Sequence, residues 1–316
     1  MKRFISGLTP RLIARLAMFL CASLANSYAA TDYTILLANP AQHLVEVQIY
    51  LSPGPSRREL QLPVWNALYQ IRDFSQYVNS IRATDRAGHT LAMRELNKSR
   101  WQISDAEFGA IVDYQIYVNS FGPFGAQLTP HHAFFNLAQI LIYPLDARNA
   151  PMTVRFDKVP EGWRIATPLV STSERSFNAD NYDRLVDSPV EIGTFQESDF
   201  DEGGGHYRVI VDADPGDYDM DRIDAMLHKI VASATSWMDD RPFDSYMFLY
   251  HFPRGPAGGG MEHTYATAID INADVLSRSS EALASVTAHE FFHLWNVKRI
   301  RPQSLEPVDY TKENYT

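Results

Sequence analysis

The chain has 316 residues, of which 45% are hydrophobic and 21% charged, and its 38 acidic against 28 basic side chains give a formal net charge of −10. This composition is typical of a globular protein with room for two domains, and it argues against a disordered chain, a collagen or a coiled coil. The acidic balance argues against a nucleic-acid partner, and one cysteine, Cys21, can form neither a disulfide framework nor a cysteine-based zinc site.

Residues 1–30 have the pattern of a secretory signal. Four basic residues and no acidic one precede an apolar run over 16–24, and Ser27 and Ala29 then have the spacing of a signal-peptidase site. A membrane anchor is the alternative, but this run is too short to span a bilayer comfortably. We expect cleavage after Ala29 or Ala30, secretion across the inner membrane to the periplasm or the outside, and no stable membrane anchor.

The region 31–170 has the short alternating pattern of β-strands. Leu44–Leu51 is rich in β-branched and aromatic residues, with polar Glu46 and Gln48 at alternate positions, and 111–118 follows the same pattern. Turn-forming residues separate such runs at 53–55, 87–88 and 122–123. The sequence therefore predicts an all-β domain of two layered sheets.

The pattern changes after about residue 171, where strands begin to alternate with helices. A strand is expected over 206–211, an amphipathic helix over 219–238, a strand over 245–252, and a loop from 258 that runs into a strand by 270. A further helix is expected to begin with Ser280 as its cap and to continue to about Val297. The chain as a whole is predicted to be an α+β multidomain protein.

The last of these helices carries a His-Glu-x-x-His motif. His289 and His293 lie four residues apart, so both imidazoles project from nearly the same face and can reach one metal ion. Glu290 lies beside them, where a carboxylate can take the proton of the attacking water. Two ligands and a general base in this spacing predict a zinc hydrolase with Zn²⁺ as cofactor.

A catalytic zinc site needs a third protein ligand and an open position. The candidates that follow the motif are Glu306 and Glu313. Neither begins a recognisable helix, so neither is a convincing third ligand.

Residues 289–302, HEFFHLWNVKRIRP, closely resemble the M61 glycyl aminopeptidase family. Further resemblance lies at 62–65 and 71–74 in the β region, at 185–193, and at 259–263, which is GGMEH. The resemblance implies a sandwich-like all-β N-terminal domain at 31–170, after the signal peptide at 1–30. The first part of a thermolysin-like catalytic domain would follow at 171–316.

The resemblance also implies how a substrate is held. Glu262 would bind the protonated α-amine, as the corresponding glutamate does in the related M1 aminopeptidases, and Gly259 and Gly260 would let the substrate approach the backbone. His263 could support the site or be structural, and the strand over 265–271 could pair with an extended peptide.

Two departures from the family pattern stand out. The turn at 66–68 lacks the usual Pro-Gly-Ser, and the helix that carries the third zinc ligand, a glutamate, is expected beyond Thr316. We therefore expect a truncated chain that is inactive alone and exposes an apolar surface near Phe291, Phe292 and Trp295.

Three functions compete for this sequence. The first is a zinc aminopeptidase that removes glycine or alanine from peptides with a free N-terminus. An endopeptidase would not need Glu262, and a non-catalytic peptide-binding protein that retains a zinc-peptidase scaffold would not need Glu290. His131 and His132, in the β region, are interpreted as surface or packing residues.

Overall fold

The computed structural model describes residues 31–65 and 72–313. The expected signal peptide and the unusual turn at 66–68 lie outside the described residues. No helix in these two ranges is long and apolar enough to cross a lipid bilayer.

The N-terminal part is built from strands and two short helices. In chain order they are β1 (Thr31–Asn39), β2 (Leu44–Leu51), β3 (Arg58–Gln61), β4 (Val78–Thr84), β5 (Met93–Asn97), β6 (Arg100–Ile103), β7 (Ala110–Tyr117), β8 (Ala126–Leu128), β9 (His132–Phe135), α1 (Leu137–Ile140), β10 (Tyr143–Pro144), β11 (Met152–Asp157), β12 (Arg164–Ala166), β13 (Val170–Ser173), β14 (Ser176–Ala179), α2 (Tyr182–Val186) and β15 (Val190–Gly193).

These strands form three sheets around one apolar core. The largest has the order β13-β14-β11-β1-β2-β7-β4, and the two smaller ones have the orders β10-β3-β6-β5 and β12-β15-β9-β8. In β2 the alternation expected from the sequence is present, because Val45, Val47 and Ile49 are buried while Glu46 and Gln48 face outward.

The second part combines a five-stranded sheet with helices. Its elements are β16 (Gln196–Glu202), β17 (Gly205–Asp212), α3 (Met220–Met238), β18 (Ser245–His251), β19 (Gly258–Glu262), β20 (Ala266–Ile271), α4 (Ala273–Arg278) and α5 (Ser280–Phe292). The sheet order is β16-β17-β18-β20-β19, with β17, β18 and β20 parallel. The expected α+β multidomain class is therefore confirmed.

The division expected at residue 170 lies inside the N-terminal part. Both β13 and β14 extend its largest sheet, and β15 pairs with β9 and β12, so the chain leaves this part only after Gly193. The chain at the expected division, residues 170–173, is β13, an exposed edge strand. An edge strand carries polar side chains for the same reason that a loop does, because both face water.

Two further boundaries differ from the sequence prediction. The segment expected to be a loop at 258–262 is the edge strand β19. The helix expected to reach Val297 ends at Phe292, because the chain tightens into turns there and Val297 has a φ of 113°, which no right-handed helix can contain. The cap residue is Ser279, one position before the expected one.

Helix α5 is fixed to the sheet by aromatic packing. The Phe291 ring is fully buried, with ring centroids 5.2 Å from Tyr246 and 5.6 Å from Phe248. Trp295 is buried too, and its Nε1 donates to Asp240. An exposed apolar surface at Phe291 and Trp295 was therefore a wrong expectation. Phe292, which is half-buried, contacts the exposed Trp237 ring.

Replacing Phe291 with alanine is predicted to lower the free energy of unfolding by about 3–5 kcal/mol, because it leaves a cavity between α5 and the sheet. Denaturant unfolding measures this loss. The matched control is Phe108→Ala, since that ring is 78% exposed and its removal should change stability by less than about 0.5 kcal/mol. Equal effects of both substitutions would show that α5 is not anchored through Phe291.

Candidate active site

The two histidines of the motif face each other at the end of α5. Their Nε2 atoms lie 3.1 Å apart, and the Nδ1 of His293 is 2.8 Å from the carbonyl oxygen of Asn296. Because a carbonyl only accepts, Nδ1 of His293 carries the proton and Nε2 presents a lone pair. A lone pair on each Nε2 would suit a shared cation, and a carbonyl behind the His293 ring is the usual support of a metal-bound imidazole.

Glu290 is buried between α5 and β19, with 6% of its surface exposed. Burial, and then the charge of Glu262, raise the pKa of its carboxyl to about 7, while His293 lowers it. Ligand atoms of Glu262, Glu290 and His293 all lie within 4.8 Å of one another. The structure thus brings the predicted amine-binding carboxylate, the predicted base and one predicted ligand to a single point.

Strand β19 supplies the wall of the site opposite α5. It is the last strand of its sheet and pairs with β20, whereas β20 is hydrogen-bonded to β18 on its other side. The expectation that an extended peptide could pair with 265–271 is therefore wrong, because that strand has both neighbours in place. The open backbone edge at this end of the described sheet belongs to β19.

The glycines of β19 allow it to pass close to Glu290. A Cβ placed on Gly260 would lie 2.3 Å from Cγ of Glu290, and Gly259 has a φ of 131°, where side chains are strained. A Cβ on Gly258 would meet nothing within 4 Å. Gly260 is therefore required by the space that Glu290 occupies.

Asp187 connects the two walls of the site. Its carboxylate accepts from the backbone N of Thr264 at 3.0 Å and from Nζ of Lys298 at 2.8 Å, and it lies 3.3 Å from Nδ1 of His263. Although burial raises its pKa, Lys298 and His263 hold the pKa of the Asp187 carboxyl well below its usual range. One carboxylate thus ties the end of β19 to the turn after α5. His263 contacts this carboxylate and so helps to hold the connection in place.

The two candidates for a third ligand lie elsewhere. Glu306 is paired with Arg301, and Glu313 lies 3.4 Å from Nζ of Lys98 in the N-terminal part. Their carboxylates already have cationic partners, so neither joins the histidine pair in this arrangement.

Two family models match the chain. The Peptidase M61 N-terminal domain matches residues 32–194, and the M61 glycyl aminopeptidase model matches residues 282–316. The first match ends next to Gly193, where the N-terminal sheets also end. Among curated proteins, the comparison finds no match.

Solved structures with a similar fold include an aminopeptidase N family protein and an M1 zinc metallopeptidase. An aminopeptidase N family protein from Idiomarina loihiensis has a TM-score of 0.83 at 28% identity, over 90% of this chain and 50% of that protein. Two structures of an M1 zinc metallopeptidase from Deinococcus radiodurans have TM-scores of 0.51 and 0.50 at 15% identity, each over 85% of this chain and 64% of theirs. The chain thus spans half the length of the Idiomarina protein.

The contact between Gly260 and Glu290 gives a sharp prediction. Gly260→Ala should push the Glu290 side chain into another rotamer, away from His293, and cost about 1–3 kcal/mol of stability through overpacking. A crystal structure of the variant and thermal unfolding measure both effects. Gly258→Ala is the matched control on the same strand and should leave Glu290 in place. An unmoved Glu290 in the Gly260 variant would contradict the close contact.

Proposed function

Because the chain belongs to the M61 glycyl aminopeptidase family, we propose that it forms the metal-binding part of a zinc aminopeptidase. Its substrates would be peptides with a free N-terminus, from which it removes small residues, glycine or alanine. The observation that carries this proposal is the convergence of Glu262, Glu290 and His293 within 4.8 Å, since an exopeptidase needs an amine-binding group beside the hydrolytic centre.

His289 and His293 would hold the zinc through their Nε2 atoms. When bound by these residues, Zn²⁺ would supply Lewis-acid chemistry, polarising a carbonyl and making water a stronger acid. Glu290 would take a proton from the attacking water and later give it to the leaving amine. Its pKa near 7 suits both directions of transfer at neutral pH.

Glu262 would select the substrate's terminus. Its carboxylate is 92% buried and lies beside a second carboxylate, an arrangement that favours a cation in contact with it. A protonated α-amine is such a cation, and its fixed distance to the first peptide bond would restrict cleavage to that bond. The nearby backbone edge of β19 would bind the peptide in an extended conformation.

The activity is proposed for the whole protein. The described residues bring two imidazoles together without a third ligand from Glu306 or Glu313, and the chain covers half of the Idiomarina protein. Residues 31–316 alone are therefore expected to bind zinc weakly and to be inactive. Export to the periplasm or the outside is proposed from the signal pattern at 1–30.

Glu290→Gln in the whole protein should lower kcat by about 10²–10⁴-fold, because the amide cannot accept the proton of water. Bound zinc, measured by elemental analysis, should be unchanged, since the amide replaces a group outside the histidine pair. A variant with normal kcat would remove Glu290 from the mechanism. If the wild-type protein binds peptides but hydrolyses none, the peptide-binding alternative holds.

Glu262→Gln should lower kcat/KM for a glycyl peptide by about 10–100-fold, the value of one charge-assisted hydrogen bond. The wild-type enzyme should reject the N-acetylated form of the same peptide, whereas the variant should discriminate much less between the two forms. Steady-state kinetics on both peptides test this. Undiminished discrimination in the variant would assign amine recognition to another residue.

A further inference from the structure

A second cluster of metal-binding side chains lies where the N-terminal part meets the five-stranded sheet. His132 begins β9 and Glu191 lies in β15, while Asp212 and His251 end the parallel strands β17 and β18. Their ligand atoms all lie within 4.8 Å of one another. Glu191 is fully buried and His251 is 6% exposed, so the cluster is an interior feature that the proposed peptidase mechanism does not use.

The inner atoms of the cluster converge on one small volume. Nδ1 of His132 lies 3.1 Å from one oxygen of Glu191 and 3.0 Å from an oxygen of Asp212. The other oxygen of Glu191 lies 2.8 Å from Nε2 of His251. A single N–H on His132 can reach both carboxylates only as a bifurcated hydrogen bond, whereas a cation between the three groups can be bound by all of them.

The outer nitrogens of both rings are held by hydrogen-bond acceptors. Nε2 of His132 is 3.1 Å from the Oε1 of Gln127, and Nδ1 of His251 is 3.0 Å from a carboxylate oxygen of Asp270. With protons held by these outer acceptors, the inner nitrogens would present lone pairs to an ion bound between the carboxylates. A histidine that donates outward to a carboxylate or amide oxygen is the usual support of a metal ligand.

The charge of the cluster also favours a cation. Three carboxylates, those of Glu191, Asp212 and Asp270, surround two rings whose centroids are 5.6 Å apart. Protonating both rings would place two imidazolium charges side by side, whereas one divalent ion supplies the same charge at a single point.

We propose that His132, Glu191, Asp212 and His251 form a second metal site, which binds a divalent transition ion of the zinc type. Nδ1 of His132 and Nε2 of His251 are the nitrogen ligands, and the two carboxylates complete a closed set of four. Such a set has no open position, so the site is structural and joins β9 and β15 to the ends of β17 and β18. In this proposal His132 would be a metal ligand, where the sequence suggested a surface or packing residue.

The test distinguishes the two metal sites by removing the one formed by His289 and His293. The protein carrying His289→Ala and His293→Ala should retain one zinc per chain after dialysis, measured by elemental analysis. Adding Glu191→Gln should remove that zinc. Adding Asp270→Asn should instead lower the affinity for zinc by about 10–100-fold. The matched control is His131→Ala in the same background, because His131 is exposed beside His132 and its loss should leave the zinc in place.

Cobalt gives a readout that does not depend on stability. Co²⁺ bound by two nitrogens and two carboxylates should give the visible absorption of a four-coordinate ion, and Asp212→Asn should change that spectrum. The proposal is overturned if the protein lacking His289 and His293 holds no metal, or if nitrogen NMR shows both rings of the cluster doubly protonated in the presence of zinc. Because no assay involves hydrolysis, failure of the proposed peptidase function would leave these results unaffected.

Discussion

The close passage of β19 over Glu290 is the constraint on which the candidate site depends. Gly260 has no Cβ, so the strand can lie against the buried carboxylate, and this brings Glu262 to the same point as His293. A strand displaced outward by a side chain would leave Glu262 without a role and Glu290 exposed to water. Exposure would then remove the burial that raises the pKa of Glu290 to about 7. The glycines therefore determine both the geometry of the site and the pKa of the Glu290 carboxyl.

The support for this contact comes from buried polar groups that join distant parts of the chain. Asp187, which follows helix α2, accepts hydrogen bonds from both Thr264 and Lys298, and so ties the segment after β19 and the turn after α5 to one carboxylate. Glu191 lies four residues later and contacts His132 and His251 across the junction of the two parts. A short segment, 187–191, thus carries two charged connections, and the N-terminal part helps to position the site.

The sequence could predict those features that a local pattern encodes. His289, Glu290 and His293 share one helix, so their juxtaposition follows from helical geometry alone, and the alternation in β2 follows from strand geometry. The pairing of Glu191 with His251 spans 60 residues, and no local spacing signals it. The sequence does not reveal strand β19, because its glycines hide the alternating pattern of a strand. It does not reveal the end of the N-terminal part either, because the exposed edge strand β13 has the composition of a loop.

The buried carboxylates of the candidate site create a charge imbalance that bears on the proposed function. Glu262 and Glu290 are both more than 90% buried and close enough for the charge of one to raise the pKa of the other. Two adjacent buried carboxylates are unfavourable until positive charge arrives. Under the proposed function, an ion held by the imidazole pair would supply that charge on one side, and a protonated amine would supply it on the other. A peptide without a free amine would leave Glu262 buried and unpaired, so selection of the N-terminus would follow from the same charge imbalance that raises the pKa of Glu290.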